Sequence, residues 1–173
     1  MRQISETVSL NLKRDFYDMG WCKVDNLFGN QDLVRIEAEY ANFVEREAPK
    51  LTGKDINYAD KDNRIINSIH KLATEPGQYF WELLHSDYFL KLASLFLIDT
   101  ATPRKAEMFA KPAGIGMRSP IHQDNYYWCL KPYSIGTGLT MWIALDNCDS
   151  QNGGLTYLNA SHSVGILAHE SSF

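Results

Sequence analysis

The sequence predicts an α+β protein, with helices in its first hundred residues and short strands folded into a sandwich or barrel after them. Three observations predict it. Residues 1–111 carry 32 of the 38 charged side chains, whereas seven of the 11 glycines follow residue 100. The apolar period also changes, from helical spacing in the first half to strict alternation in the second. At 173 residues the chain is long enough for one compact unit with a sizeable core. A content of 45% hydrophobic and 22% charged residues excludes wholesale disorder.

Taken in order, the first strong element starts after Asn30, a good helix cap. Leu33, Ile36, Tyr40, Phe43 and Val44 recur there at helical spacing until Pro49 ends the run. Two further helices are expected at 78–84 and 88–97, the second capped by Ser86 or Asp87. Tyr79, Phe80, Trp81, Tyr88 and Phe89 on these helices read as core. In the second half Leu139, Met141, Ile143 and Leu145 alternate with Thr140, Trp142 and Ala144, a strand with two distinct faces. Strands are also expected at 106–111, 126–130 and 155–158, divided by the turn sequences PAGIG, YSIGTG and SQNGG.

Composition excludes several functions. A net charge of −4 with no basic block is wrong for tracking phosphate backbones, so no nucleic-acid partner is expected. Arg2, Glu6, Lys13, Arg14 and Asp15 stand where a secretion signal needs an apolar core. The longest uncharged run, 150–169, is rich in Ser, Asn and Gly and could not satisfy its polar groups in a bilayer. A soluble, cytoplasmic protein with no membrane partner is therefore expected. Cys22, Cys129 and Cys148, an odd number without a CxxC pair, read as reduced thiols buried like small hydrophobes.

The chemistry is expected at His122-Gln123-Asp124. Residues i and i+2 of a strand share a face about 6.5 Å apart, so an imidazole and a carboxylate can converge on one metal ion. They are two of the three ligands that a facial triad in a non-haem Fe(II) oxygenase requires. A second H-x-D triplet, His85-Ser86-Asp87, falls between two predicted helices and is better explained by capping.

The residues around the first triplet form an ordered series: Lys111-Pro112, the turn with Gly114 and Gly116, His122 to Asp124 followed by Tyr126, Tyr127 and Trp128, the strand from Trp142 to Asp146, Asn152 to Leu155, and Ser161-His162. This series resembles the phytanoyl-CoA dioxygenase family of Fe(II)- and 2-oxoglutarate-dependent oxygenases. The resemblance implies a double-stranded β-helix, the cupin-like jelly roll, buttressed by N-terminal helices. It makes His122 and Asp124 the catalytic metal ligands, sets Trp142 beside 2-oxoglutarate, and assigns Met108 and Lys111 to lining that pocket. Dioxygen and a small or lipid-like organic substrate are the implied partners.

The resemblance stops before the strand that brings the family's second His and the Arg that holds the far carboxylate of 2-oxoglutarate. His162 and His169 do not match that His, although His169 is the nearer substitute, and Arg104 and Arg118 precede the triplet. Residues 1–173 are thus expected to be one incomplete oxygenase domain, with 1–100 as helical buttress and 101–173 as the first part of the β-helix. Its C-terminal strands are missing on this reading, so the chain is expected to be inactive alone and to self-associate through open sheet edges. A non-catalytic jelly-roll binding module is the alternative from another class. A zinc hydrolase is a third, but H-E-x-x-H is absent.

Overall fold

A computed structural model describes residues 5–116 and 118–169. It opens with helix α1 (Glu6–Met19), whose N-cap Ser5 accepts a hydrogen bond from the Val8 amide and whose C-cap is Gly20 at φ 84°. Helix α2 (Asn30–Arg46) follows. Its cap is Gly29, one residue earlier than expected, and the Gly29 amide donates to Asp32 at 3.1 Å. Pro49 ends the run as expected, in a 3-10 turn at Ala48–Lys50.

Strands β1 (Ile56–Asp60) and β2 (Ile65–Ile69) then form an antiparallel hairpin inside the stretch expected to be helical. Two register irregularities break its alternation, so side chains on one face do not recur every second residue. Helix α3 (Tyr79–Leu84) lies where the sequence predicts; α4 (Asp87–Ala93) starts there but ends four residues short of the expected 97, in a turn over 94–96, and Ser86 caps it by accepting from the Phe89 amide. Strand β3 (Met108–Phe109) adds to β2, giving a three-stranded antiparallel sheet in the order β1-β2-β3.

Two clusters hold these elements together. Ile36 and Phe43 of α2 pack on Ile56, Ile69, Leu72 and Phe80, while Leu12 and Phe16 of α1 pack on Phe89, Leu92 and Phe96. Phe80 and Phe89 of the aromatic stripe are buried, as expected, with Tyr79 and Tyr88 partly buried around them. The mixture of helices and sheet is α+β.

After residue 110 the strand expectations need correction. Residues 126–130 do not extend. Residues 126–129 belong to helix α5 (Asp124–Trp128) and its αL cap Cys129. The cause is Asn125, whose side chain accepts from the Leu130 amide at 2.8 Å and donates to the Leu130 carbonyl at 3.1 Å, curling the chain back locally. Residues 155–158 form no strand and are exposed. Residues 139–145 pair with no strand among the described residues, yet their burial alternates as read. Leu139, Met141 and Ile143 pack on the α1/α4 cluster and Leu145 on the α2 cluster, leaving Thr140, Trp142 and Ala144 outward.

The cysteines also correct the sequence reading, since Cys129 and Cys148 are exposed and only Cys22 is partly covered. Burial, followed by the negative charge of Asp15, pushes the Cys22 thiol up to about 11. The thiolate is the nucleophile, so at pH 8 Cys22 is almost wholly the inert thiol. Two thiols should therefore react rapidly with a chromogenic disulfide at pH 8, and the third only after unfolding. Three equally fast thiols in the native protein would show that Cys22 is not covered.

Candidate functional site

The site is built where extended chain turns into α5. Gln123, the N-cap of α5, is extended at φ −115° and ψ 120°, and Asp124 is the first helical residue. His122 and Asp124 thus flank a helix start rather than sharing a paired strand, but their side chains still converge. His122 Nε2 lies 3.3 Å from Asp124 Oδ1, and each side chain is more than a third exposed.

Their partners determine what that approach means. His122 Nδ1 is 2.8 Å from the Pro120 carbonyl, an acceptor only, so Nδ1 carries the proton and Nε2 faces the carboxylate. The other carboxylate oxygen, Oδ2, accepts from the Thr140 hydroxyl at 2.6 Å. Two electron-pair donors therefore face each other at a distance that a proton or a cation can bridge. Tyr127 stands edge-on to the His122 ring at 6.2 Å. Tyr157 is also close. Its hydroxyl is pushed up by desolvation and then by the charge of Asp124.

Trp142 sits two residues beyond Thr140 on the same outward face of the 139–145 segment, on the side that holds Asp124. Met108 and Lys111 have other surroundings. The Met108 sulfur takes a 3.8 Å contact from the Tyr40 hydroxyl on the helix side of the sheet, against the α2 cluster. The Lys111 ammonium donates to Ser119 Oγ at 2.9 Å, and its stem lies across Gly153, where an added Cβ would meet Lys111 Cγ at 2.6 Å. The N-G-x-L step of the sequence is thus a cradle for the Lys111 stem.

Neither remaining candidate His acts as a third ligand in this arrangement. His162 Nε2 donates to the Tyr17 carbonyl of α1 at 3.0 Å. His169 is next to the site, stacked on Tyr126 at 4.1 Å, but both its nitrogens are engaged. Among the described residues no group of three His, Cys, Asp or Glu side chains could hold a metal ion. The second triplet is structural, as read: His85 caps α3, bonded to the Trp81 carbonyl at 2.8 Å, and Asp87 opens α4. Sequence reasoning missed Thr140 and the polar contacts of Gln123. Their partners lie 16 to 46 residues away, and only the alternation that turns Thr140 outward hinted at either.

The sequence profile of phytanoyl-CoA dioxygenase (PhyH) matches residues 16–170, which include the last turn of α1, every later helix, the sheet and the whole site. The chain belongs to the phytanoyl-CoA dioxygenase family. It is similar to the peroxisomal phytanoyl-CoA dioxygenase of Mus musculus, 23% identical over 96% of this chain and 51% of that protein. The phytanoyl-CoA dioxygenase of Arabidopsis thaliana is 27% identical over 84% of this chain and 52% of its own length. Phytanoyl-CoA dioxygenase domain-containing protein 1 of Danio rerio is 30% identical over 60% of this chain and 34% of that protein. The chain spans about half the length of the first two relatives. No solved structure matches it significantly. Among the described residues no helix is long and apolar enough to cross a membrane.

Proposed function

We propose that this chain carries the H-x-D half of the iron site of an Fe(II)- and 2-oxoglutarate-dependent dioxygenase that hydroxylates a small or lipid-like organic acceptor. The observation that supports it best is the 3.3 Å approach of His122 Nε2 and Asp124 Oδ1, with Nδ1 already committed to Pro120. A neutral imidazole nitrogen and a carboxylate oxygen are a donor set that suits Fe(II), and both are reachable from solvent. The residues present therefore fit the metal. On this reading the third protein ligand and the guanidinium that holds 2-oxoglutarate come from outside the described residues, on a completed double-stranded β-helix.

The chemistry supplied when Fe(II) and 2-oxoglutarate are bound is oxidative decarboxylation of the cosubstrate coupled to hydroxylation of the acceptor. The chain's own residues do the positioning. Pro120 fixes the His122 tautomer, and Thr140 holds one oxygen of Asp124 so that the other stays turned to His122. Trp142 and the exposed rings of Tyr126 and Tyr127 offer apolar walls that restrict water and seat the cosubstrate and acceptor.

The test is succinate release coupled to oxygen uptake, measured on Fe(II)-reconstituted protein that includes the residues supplying the third ligand. Stoichiometric succinate is expected, and the 173 residues alone should be nearly silent. No turnover with a broad acceptor panel would favour the non-catalytic binding module.

A further inference from the structure

The middle residue of the triplet has no role in the metal reading, yet it makes more polar contacts than either neighbour. On extended chain its side chain points away from the His122 and Asp124 face. The Gln123 amide N–H donates to His169 Nε2 at 2.7 Å. Its side-chain Nε2 donates to the Gly165 carbonyl at 2.9 Å, and its Oε1 accepts from the Leu167 amide at 2.8 Å. A side-chain amide that bonds residues two apart in this reciprocal way takes the part of a neighbouring strand.

His169 completes the arrangement. The Gln123 N–H can only donate and the Leu167 carbonyl, 2.9 Å from His169 Nδ1, can only accept, so His169 must be the neutral Nδ1–H tautomer. Its ring stacks on Tyr126 at 4.1 Å and 22°, and meets the edge of Tyr127 at 5.8 Å. The returning segment is thereby fastened both to the residue before α5 and to the first turns of α5, between which Asp124 lies.

We infer that Gln123 and His169 form a clamp that positions the His122/Asp124 pair by fixing the backbone between them. The inference rests on the iron-site reading for its consequence, but the clamp itself can be measured without metal. Removing the groups that orient metal ligands typically weakens metal affinity 10- to 100-fold.

The experiment uses the 173-residue chain with two substitutions. His169→Phe keeps a ring on Tyr126 and removes the acceptor, whereas His169→Gln keeps an acceptor and removes the ring. Gln123 amide exchange and the 15N shifts of the His122 imidazole are followed by NMR, and Co(II) affinity by titration. In His169→Phe the Gln123 amide should exchange at least about tenfold faster, the His122 shifts should move toward tautomer averaging, and Co(II) affinity should fall about 10- to 100-fold. His169→Gln should restore most of each loss.

Unchanged Gln123 exchange in His169→Phe would overturn the clamp. Faster exchange with unchanged His122 shifts and unchanged Co(II) affinity would overturn the positioning role. If the 173 residues alone take up no Co(II), the exchange and His122 shifts still decide the clamp, and the iron reading is decided separately by the same titration on protein that supplies the third ligand.

Discussion

Asp124→Ala should lose at least about a hundredfold in Co(II) or anaerobic Fe(II) affinity, because it removes one of only two ligands that the described residues bring together. Its fold should survive. Asp124 is a partly exposed first-turn residue that contacts Thr140 and His122, and a surface change of that kind usually shifts stability by no more than about 0.5 kcal/mol. Thermal melting of the metal-free proteins should therefore nearly coincide while the titrations separate. Thr140→Val is the graded companion. It leaves the carboxylate in place but frees Oδ2, so its loss should be smaller, about tenfold. Equal affinity in wild type and Asp124→Ala would remove Asp124 from the site and overturn the iron-site reading.

What the sequence made legible follows from how local each cause is. Helices α2 and α4 could be read because their signals lie within a turn of their ends: Pro49 in the 3-10 turn that follows α2, Ser86 under the Phe89 amide. The two faces of 139–145 could be read from alternation alone, but alternation says only which side chains turn inward. Whether a backbone finds a ladder partner depends on chain far away in sequence. The β1-β2 hairpin stayed hidden because its irregular register scrambles the period that would announce it. The convergence of His122 and Asp124 was legible while its backbone was not. A strand and a helix start both bring those two groups together, and the choice between them was made by the amide of Asn125 bonding to Leu130. The family series marked Ser161-His162 without its partner. The structure sets His162 in close contact with Gly20, the C-cap of α1.

That contact makes Gly20→Ala strongly destabilising. Gly20 ends α1 in the left-handed region, at φ 84°, where its amide caps the Phe16 carbonyl at 2.9 Å. An alanine there costs about 1–2 kcal/mol for the conformation alone. The added Cβ would also overlap His162 Nδ1 and come within 3.1 Å of His162 Cγ. The His162 ring cannot simply turn aside, because it is partly buried and donates to the Tyr17 carbonyl at 3.0 Å. Around it the Ala160 amide bonds the Met19 carbonyl at 2.8 Å, Trp21 Nε1 bonds Asn159 at 2.9 Å, and Trp21 stacks on Tyr157. Displacing the ring forfeits one or two of these hydrogen bonds at about 0.5–1.5 kcal/mol each. The total is about 1.5–5 kcal/mol, a large fraction of an ordinary domain's stability, and in a chain of this size it should lower Tm by about 3–20 °C. Gly77 supplies the control: it has φ 86° but open space around its Cα, so Gly77→Ala should show the conformational cost without the clash. In the double variant Gly20→Ala/His162→Ala the overlap disappears, and the Gly20 change should then cost about what the Gly77 change does. Calorimetric melting of the wild type, the two glycine variants, His162→Ala and the double variant gives the answer. If Gly20→Ala melts within about 2 °C of Gly77→Ala, the docking of 157–162 on the end of α1 does not depend on the missing Cβ.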